Sequence, residues 1–340
     1  MDVTRYEGEA TEWDEFVRGQ EGWTHFHQFG WRKVMADALG HETLYLAARL
    51  ADGSLGGVLP LVRVRSRLFG HFIVSMPFLN YGGPLGGEAA VRSLTARAVE
   101  LADESGADLL ELRSRGELPI ELPASHRKVT VVLDLHPGDA EATFSALKSK
   151  LRSQVRRPTK EGVEVRLGPD QLDPFYRVFA ENMRDLGTPV LGRGVFEAMR
   201  DEFGDSVWFG CAWLGEVPIA AGCGFVWNSE FEMTWASSLR AHNRIAPNML
   251  LYWRFMETAA EQGLHKFNFG RCTPGGGTHK FKLQWGGRDE VLWWYHRPTD
   301  ADVSTPNPDE GALSLGPKLW CKLPLQVANR VGPHIVRLIP

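Results

Sequence analysis

Cysteine is scarce. The four residues Cys211, Cys223, Cys272 and Cys321 lie far apart and form no C-x-x-C pair, which fits reduced thiols rather than a disulfide or zinc framework. Long apolar runs are missing as well. No window approaches the roughly 18 uninterrupted apolar residues of a membrane span, and the best stretch, Phe72 to Leu79, holds Pro77. Neither sign of charge dominates: 38 basic and 42 acidic residues leave a net charge of −4, so no global positive field holds nucleic acid and any RNA contact must be local. The opening residues MDVTRYEGEATEWDE lack the basic start and apolar stretch of a secretory signal, so a cytoplasmic location is expected. Nucleotide motifs are absent: there is no G-x-x-x-x-G-K-[ST], and no strand leads into G-x-G-x-x-G with an acidic residue about 20 positions on. The eleven histidines are dispersed and none sits in an H-E-x-x-H setting, so no metal is expected.

What is present is ordinary globular composition, 43% apolar and 24% charged, and 340 residues are enough for two domains. From Leu44 the chain reads as a strand LYLAARL, an Asp52-Gly53 turn, a strand GVLPLVRVR and a strand HFIVSM. A glycine-rich loop from Asn80 to Gly87, a helix over 88–103 and the strand ADLLEL follow. From Val207 the same order returns: VWFGCAW, VPIAAGCGFVW and FEMTWASS, then a polar loop, a helix opened by Pro247 and the strand HKFNFG. The repeated order predicts a structural duplication. The boundaries it suggests are 1–138 and 139–300, with residues 301–340 as a tail.

Three places suit chemistry. A helix predicted over 140–157, ending before Pro158, puts Phe144, Leu147, Leu151 and Val155 on one face and Lys148, Arg152 and Arg156 in a parallel stripe. That stripe reads equally well as a solvated basic face or as a platform for phosphates or RNA. In FNFGRCTPGGGTHKFKLQWGG, Gly275 to Gly277 permit close approach to a ligand, and Lys280, Phe281 and Lys282 place cations beside an apolar ring. Arg240 and Arg244 precede the helix at Pro247, whose first N–H groups attract anions.

The segments WRKVMADALGHETLYLAAR, MPFLNYGGP, LKSKLRSQVRRPTKEGVEV, APNMLLYWRFMETAAEQGLHKFNFGR and GTHKFKLQWGG resemble the FemAB-like proteins, over roughly Trp13 to His296. The tail WCKLPLQVANRVGPHIVRLIP is most similar to the subgroup associated with exosortase/PEP-CTERM and exopolysaccharide clusters. The resemblance implies an α+β fold of two tandem GNAT-like domains, each a mixed, largely antiparallel sheet flanked by helices, with the active cleft in the second domain and between domains. It implies an acyltransferase that moves an acyl or aminoacyl group from acyl-CoA or aminoacyl-tRNA to an amine of a cell-envelope precursor or small molecule, with no tightly bound cofactor. Lys282 and Phe281 match a catalytic Phe-Lys pair of the peptidoglycan branch, in which the lysine would hold the donor terminus and stabilise an oxyanion. Donor binding falls on Arg240, Asn243, Arg244, Asn248 and Lys280, and acceptor binding on Asn80, Tyr81, Gly82 and Gly83. The long helical hairpin that some members turn towards tRNA is missing. The tail carries Leu319, Trp320, Leu323, Leu325, Val327 and Val331 among Lys318, Lys322 and Arg330, with Pro324 and Pro333 expected to break it into brief turns. It reads as docked on the protein's own surface or as an interfacial contact at the inner membrane. The reading of a different class is a non-catalytic scaffold of an exopolysaccharide or envelope-sorting system.

Overall fold

Two compact units make up the computed structural model, which describes residues 1–297 and 315–340. The first unit comprises Met1–Lys128 with residues 291–297 and 334–340, and the second comprises Val129–Glu290 with residues 315–333. Residues 301–314 of the expected tail lie outside the described residues.

In the first unit β1 (Asp2–Arg5), helices α1 (Ala10–Arg18) and α2 (Trp31–Lys33) and the short β2 (Glu42–Thr43) lead into β3 (Leu46–Arg49). The Asp52 carboxylate accepts from the Ser54 N–H at 3.0 Å and tightens the expected turn. The strand GVLPLVRVR becomes two, because Pro60 offers no N–H to a ladder. Its halves, β4 (Leu55–Leu59) and β5 (Val62–Ser66), join different sheets: β4 pairs with β3, and β5 pairs with β6 (Gly70–Val74). The two-residue β7 (Leu85–Gly86), helix α3 (Glu88–Ser105), β8 (Leu109–Ser114) and β9 (Ala124–Ser125) follow. Helix α3 buries Ala90, Leu94, Ala98 and Leu101, spaced three or four apart, against Leu46, Ala48 and Leu59.

The second unit holds β10 (Val129–Asp134), α4 (Ala140–Ala146), α5 (Ser149–Lys160), β11 (Val163–Leu167), α6 (Leu172–Asp185), α7 (Arg193–Phe203), β12 (Val207–Leu214), β13 (Val217–Trp227), β14 (Glu230–Ser238), α8 (Pro247–Glu261), β15 (Lys266–Cys272), α9 (Gly277–Leu283) and β16 (Arg288–Val291). Its seven strands form one sheet in the order β11-β12-β13-β14-β15-β10-β16. Phe231, Phe255 and Phe267 pack the α8 side, while Phe175, Phe196 and Phe209 pack the side of α6 and α7. The chain then returns to the first unit as β17 (Trp293–Arg297), which lies between β8 and β9. Helices α10 (Leu315–Trp320) and α11 (Leu325–Val336) close it.

Four expectations need correcting. The boundary at 138 falls instead before Val129, because VTVVLD pairs antiparallel with β15 inside the second sheet. Residues 293–297, expected in the second domain, pair with Leu110–Ser114 of the first. The single helix over 140–157 is two helices, divided where Leu147 turns extended at ψ +145°, and α5 runs on through Pro158 in its last turn. The tail is helical: Pro324 starts α11 by accepting from the N–H groups of Val327 and Ala328, and Pro333 lies within it.

Candidate functional site

Strands β14 and β15 run parallel but pair over only three residues, Glu230↔Lys266, Phe231↔Phe267 and Glu232↔Asn268. Both strands are irregular just past that point. The β13 register slips between Cys223 and Gly224, leaving Thr234 as the extra residue on β14, and the β10–β15 register slips opposite Phe269 and Gly270. The strands therefore part, and a polar cluster sits at the fork. Asn268 accepts at Oδ1 from the Gly270 N–H at 2.8 Å and from the Thr130 hydroxyl, which turns its amide NH₂ to Glu230 Oε1 at 2.8 Å and, more weakly, to Glu232 Oε2 at 3.4 Å. Glu232 and Asn268 are fully buried. Strand alternation in EFEM and FNF put these residues on one face, but nothing in the sequence indicated that this face is covered.

Lys282 reaches the same fork from α9. Its ammonium donates to the carbonyls of Gly270 at 2.6 Å and Arg271 at 2.9 Å, and the residue is 4% exposed. Burial brings its pKa down to about 8, partly opposed by the nearby Glu232 carboxylate. Phe281, one step round the helix, meets Tyr252 edge-on at 5.1 Å and belongs to the aromatic wall with Trp285. Lys280 is exposed. Of the three loop glycines only Gly275 takes a left-handed φ, +80°. Its N–H donates to His279 Nδ1 at 3.0 Å, which leaves Nε2 to donate to Asp289 at 2.9 Å. His279 and Asp289 thus tie the glycine loop to β16, a role that sequence reasoning missed because the two lie ten residues apart in no recognised motif.

Arg240, Asn243 and Arg244 are exposed on a 3-10 turn over Arg240–Ile245, between the free end of β14 and Pro247, the first residue of α8. Asn248, in the first turn of α8, donates to Ser238 Oγ at 3.2 Å, and Ser238 Oγ donates weakly to Asn243 Oδ1 at 3.4 Å. Asn248 Oδ1 and Thr234 Oγ1 are buried without a hydrogen-bond partner among the described residues. The structure thus brings together in one unit the parted strands, Lys282, the α8 N-terminus and two unspent polar atoms.

The remaining expected residues lie away from the fork, Lys148 and Arg156 exposed and Asn80, Tyr81, Gly82 and Gly83 buried. Arg156 stacks over Phe144 at 4.9 Å, Arg152 donates to the Ser145 carbonyl at 3.4 Å at the end of α4, and Lys148 caps the start of α5. Arg156 and Phe144 line a groove of about 560 Å³ with Val155, Trp253 and Arg254. In the first unit Tyr81 is fully buried, tilted against Phe26 at 5.4 Å, and Asn80 is 5% exposed. Gly82 is required where it stands: its φ is +149° and a Cβ would come within 2.4 Å of Met76 Cγ. The Gly83 carbonyl meets His27 Nε2 at 3.0 Å.

The first unit repeats the fork with different contents. Strands β6 and β8 also pair in parallel over three residues, ending at Val74↔Glu111, so Glu111 stands where Asn268 stands in the second unit. Arg113, 2% exposed, donates from Nε to Glu111 at 2.6 Å and from Nη1 to the Leu79 carbonyl at 3.0 Å, and lies over Trp294 at 4.4 Å. His296 Nε2 meets the other Glu111 oxygen at 2.9 Å. Burial alone would raise the Glu111 pKa, but Arg113 and His296 reverse that and hold it at about 2.

Among the described residues no group of three His, Cys, Asp or Glu side chains is arranged to hold a metal. Burial raises the thiol pKa values of Cys211 and Cys223 well above the usual range.

Residues 145–283 match the family model of an acetyltransferase (GNAT) domain. No curated protein matches the chain in sequence. Among solved structures, that of FemX superposes with a TM-score of 0.64 at 14% identity, covering 87% of this chain and 97% of its own. The C-terminal domain of a putative lysylphosphatidylglycerol synthetase from Agrobacterium fabrum gives 0.58 at 13% identity, covering 85% and 91%. A tandem GNAT protein from the clavulanic acid biosynthesis pathway gives 0.54 at 14% identity, covering 87% and 98%. The expected fold class holds: the protein is an α+β chain of two tandem GNAT-like domains whose sheets are largely antiparallel and flanked by helices, with the strands of the first unit divided between two sheets and the residues that match the acetyltransferase (GNAT) model lying in the second unit.

Proposed function

We propose that this protein transfers an acyl group from an activated donor to an amine, at the fork of β14 and β15. The observation that supports it most directly is Lys282. An ammonium has three donors, two are spent on the carbonyls of Gly270 and Arg271, and the third is left for the oxygen of a donor carbonyl. In this reading the amine nitrogen attacks that carbonyl, the oxygen gains negative charge and Lys282 stabilises it. A C–N bond forms, the bond to the leaving sulfur or oxygen breaks, and one proton passes from nitrogen to the leaving atom. Phe281 holds the lysine's helix against the aromatic wall.

Acyl-CoA is the donor we favour. Arg240 and Arg244, at the N-terminus of α8, suit its diphosphate, Lys280 adds a further cation, and the unspent Asn248 Oδ1 and Thr234 Oγ1 suit the amide N–H groups of its arm. The loop of Asn80, Tyr81, Gly82 and Gly83, expected to bind the acceptor, is buried within the first unit and does not offer its side chains to an acceptor. The second reading, aminoacyl-tRNA, draws on the groove in which Arg156 and Arg254 rim an aromatic floor of Phe144 and Trp253. The likeness to a lysylphosphatidylglycerol synthetase domain points the same way, and an envelope-linked amine is then the acceptor class.

Calorimetry separates the donors. With acetyl-CoA as titrant, Arg240→Glu and Arg244→Glu are each expected to weaken binding about tenfold, the worth of one charge-assisted contact. Affinity for a charged tRNA that falls with Lys148→Glu and Arg156→Glu, together with indifference to CoA, would replace the favoured donor. If neither donor binds, the transferase reading is wrong and the scaffold reading takes its place.

A further inference from the structure

The C-terminal helices differ in charge from everything before them. Residues 316–340 hold four basic side chains, Lys318, Lys322, Arg330 and Arg337, and no acidic one, whereas the preceding chain carries 34 basic and 42 acidic residues. Helices α10 and α11 are docked on the second unit by small residues. A Cβ at Gly187 would come within 2.6 Å of the Pro317 carbonyl oxygen, a Cβ at Gly332 would come within 3.0 Å of the Val190 nitrogen, and Arg184 donates to the Leu323 carbonyl at 3.1 Å. Ala328 and Gly332 face inward.

The outward side is apolar and cationic together. Leu319 is 65% exposed, Val327 44% and Val331 40%, among the most exposed large apolar side chains of the described residues. On α11 the spacing of Val327, Arg330, Val331 and His334 sets them along one face. Lys318, Lys322 and Arg330 are exposed and make no ion pair among the described residues. A second copy of the same face would bring like charges together, so self-association is disfavoured. Apolar tips among unpaired cations match the boundary of an anionic bilayer, where acyl chains lie beneath phosphates. Among the described residues no helix is long and apolar enough to cross a membrane, so such contact lies in the interface plane.

We propose that α10 and α11 dock this protein on an anionic lipid bilayer, Leu319, Val327 and Val331 entering the interface while Lys318, Lys322 and Arg330 meet lipid phosphates. This inference does not depend on the transferase reading.

The test is co-sedimentation of the full chain with vesicles of phosphatidylcholine alone and of phosphatidylcholine mixed equally with phosphatidylglycerol. Binding is expected only to the mixed vesicles, weakening as salt rises. Reversing Lys318, Lys322 and Arg330 to Glu should lower partitioning about fivefold per residue, on the order of a hundredfold together. Leu319→Ser with Val327→Ser and Val331→Ser should also lower it, with the thermal midpoint unchanged because these side chains lie outside the core. No binding to the mixed vesicles, equal binding to both kinds, or binding that neither variant weakens overturns the proposal. It is equally overturned if the variants dissolve a self-associated form or release an acidic protein while vesicle binding persists.

Discussion

Replacing Lys282 with Met is expected to cut turnover on the order of a thousandfold while moving the thermal midpoint by only a few degrees, because two large effects on stability oppose each other. The Met side chain fills similar space but leaves the carbonyls of Gly270 and Arg271 without their donor, a loss of about 1–3 kcal/mol. Against that, the native ammonium is costly to bury. A pKa brought from 10.5 to about 8 means that the folded state opposes protonation, by about 3 kcal/mol at neutral pH. The sign follows from the unfolded chain holding the proton more tightly: the penalty is fully present below pH 8 and fades as pH rises from about 8 to 10.5. Wild type should therefore gain stability relative to Lys282→Met across that window in urea titrations. The rate should show a descending limb near pH 8 as the ammonium loses its proton, and Lys282→Arg should remove that limb. A Met variant that keeps more than a tenth of the native turnover would remove Lys282 from the reaction.

Glu111→Gln is expected to destabilise the first unit by about 3–5 kcal/mol, since it leaves the buried Arg113 guanidinium without its counter-charge. Gln can still accept from Arg113 Nε, so the loss comes from charge rather than from a missing acceptor. Glu111→Gln with Arg113→Met should recover much of it, and a urea double-mutant cycle measures the coupling. The pH dependence has the same sign as that of Lys282, at lower pH, because the unfolded chain again binds the proton more tightly. A carboxyl lowered from 4.5 to about 2 stabilises the fold above pH 4.5, and that contribution fades as pH falls towards 2. A single-variant loss below about 1 kcal/mol would mean that solvent reaches the pair.

The fold was legible where local chemistry decides it. The antiparallel run of β12, β13 and β14, the Pro247 helix start and the buried face of Phe144, Leu147, Leu151 and Val155 follow from periodicity and punctuation. Where strands of distant sequence meet, nothing local speaks. VTVVLD reads the same whether it closes the first sheet or, as it does, lies between β15 and β16 of the second. Pro60 was visible, but only the pairing shows that the two halves of its strand join separate sheets. At the site, Lys282 and Arg240 drew notice as cations near glycine or a helix start, whereas Asn268, Glu230 and Glu232 looked like the wet face of ordinary strands. Their burial comes from what covers them, which one strand's alternation does not record.

The place of β17 bears on how the chain is made. Trp293–Arg297 pairs with β8 along its whole length, and the Leu118 N–H donates to the Tyr295 hydroxyl at 2.7 Å. The N-terminal unit thus lacks an interior strand until all of Val129–Glu290 has been synthesised. At about 5–20 residues per second, the ribosome takes roughly 8–30 s over that stretch. The usual order, in which the first part translated folds first, is then disturbed: six of the second sheet's seven strands are made while the edge of β8 still waits for its neighbour. A nascent chain stalled near residue 290 would present that edge to chaperones.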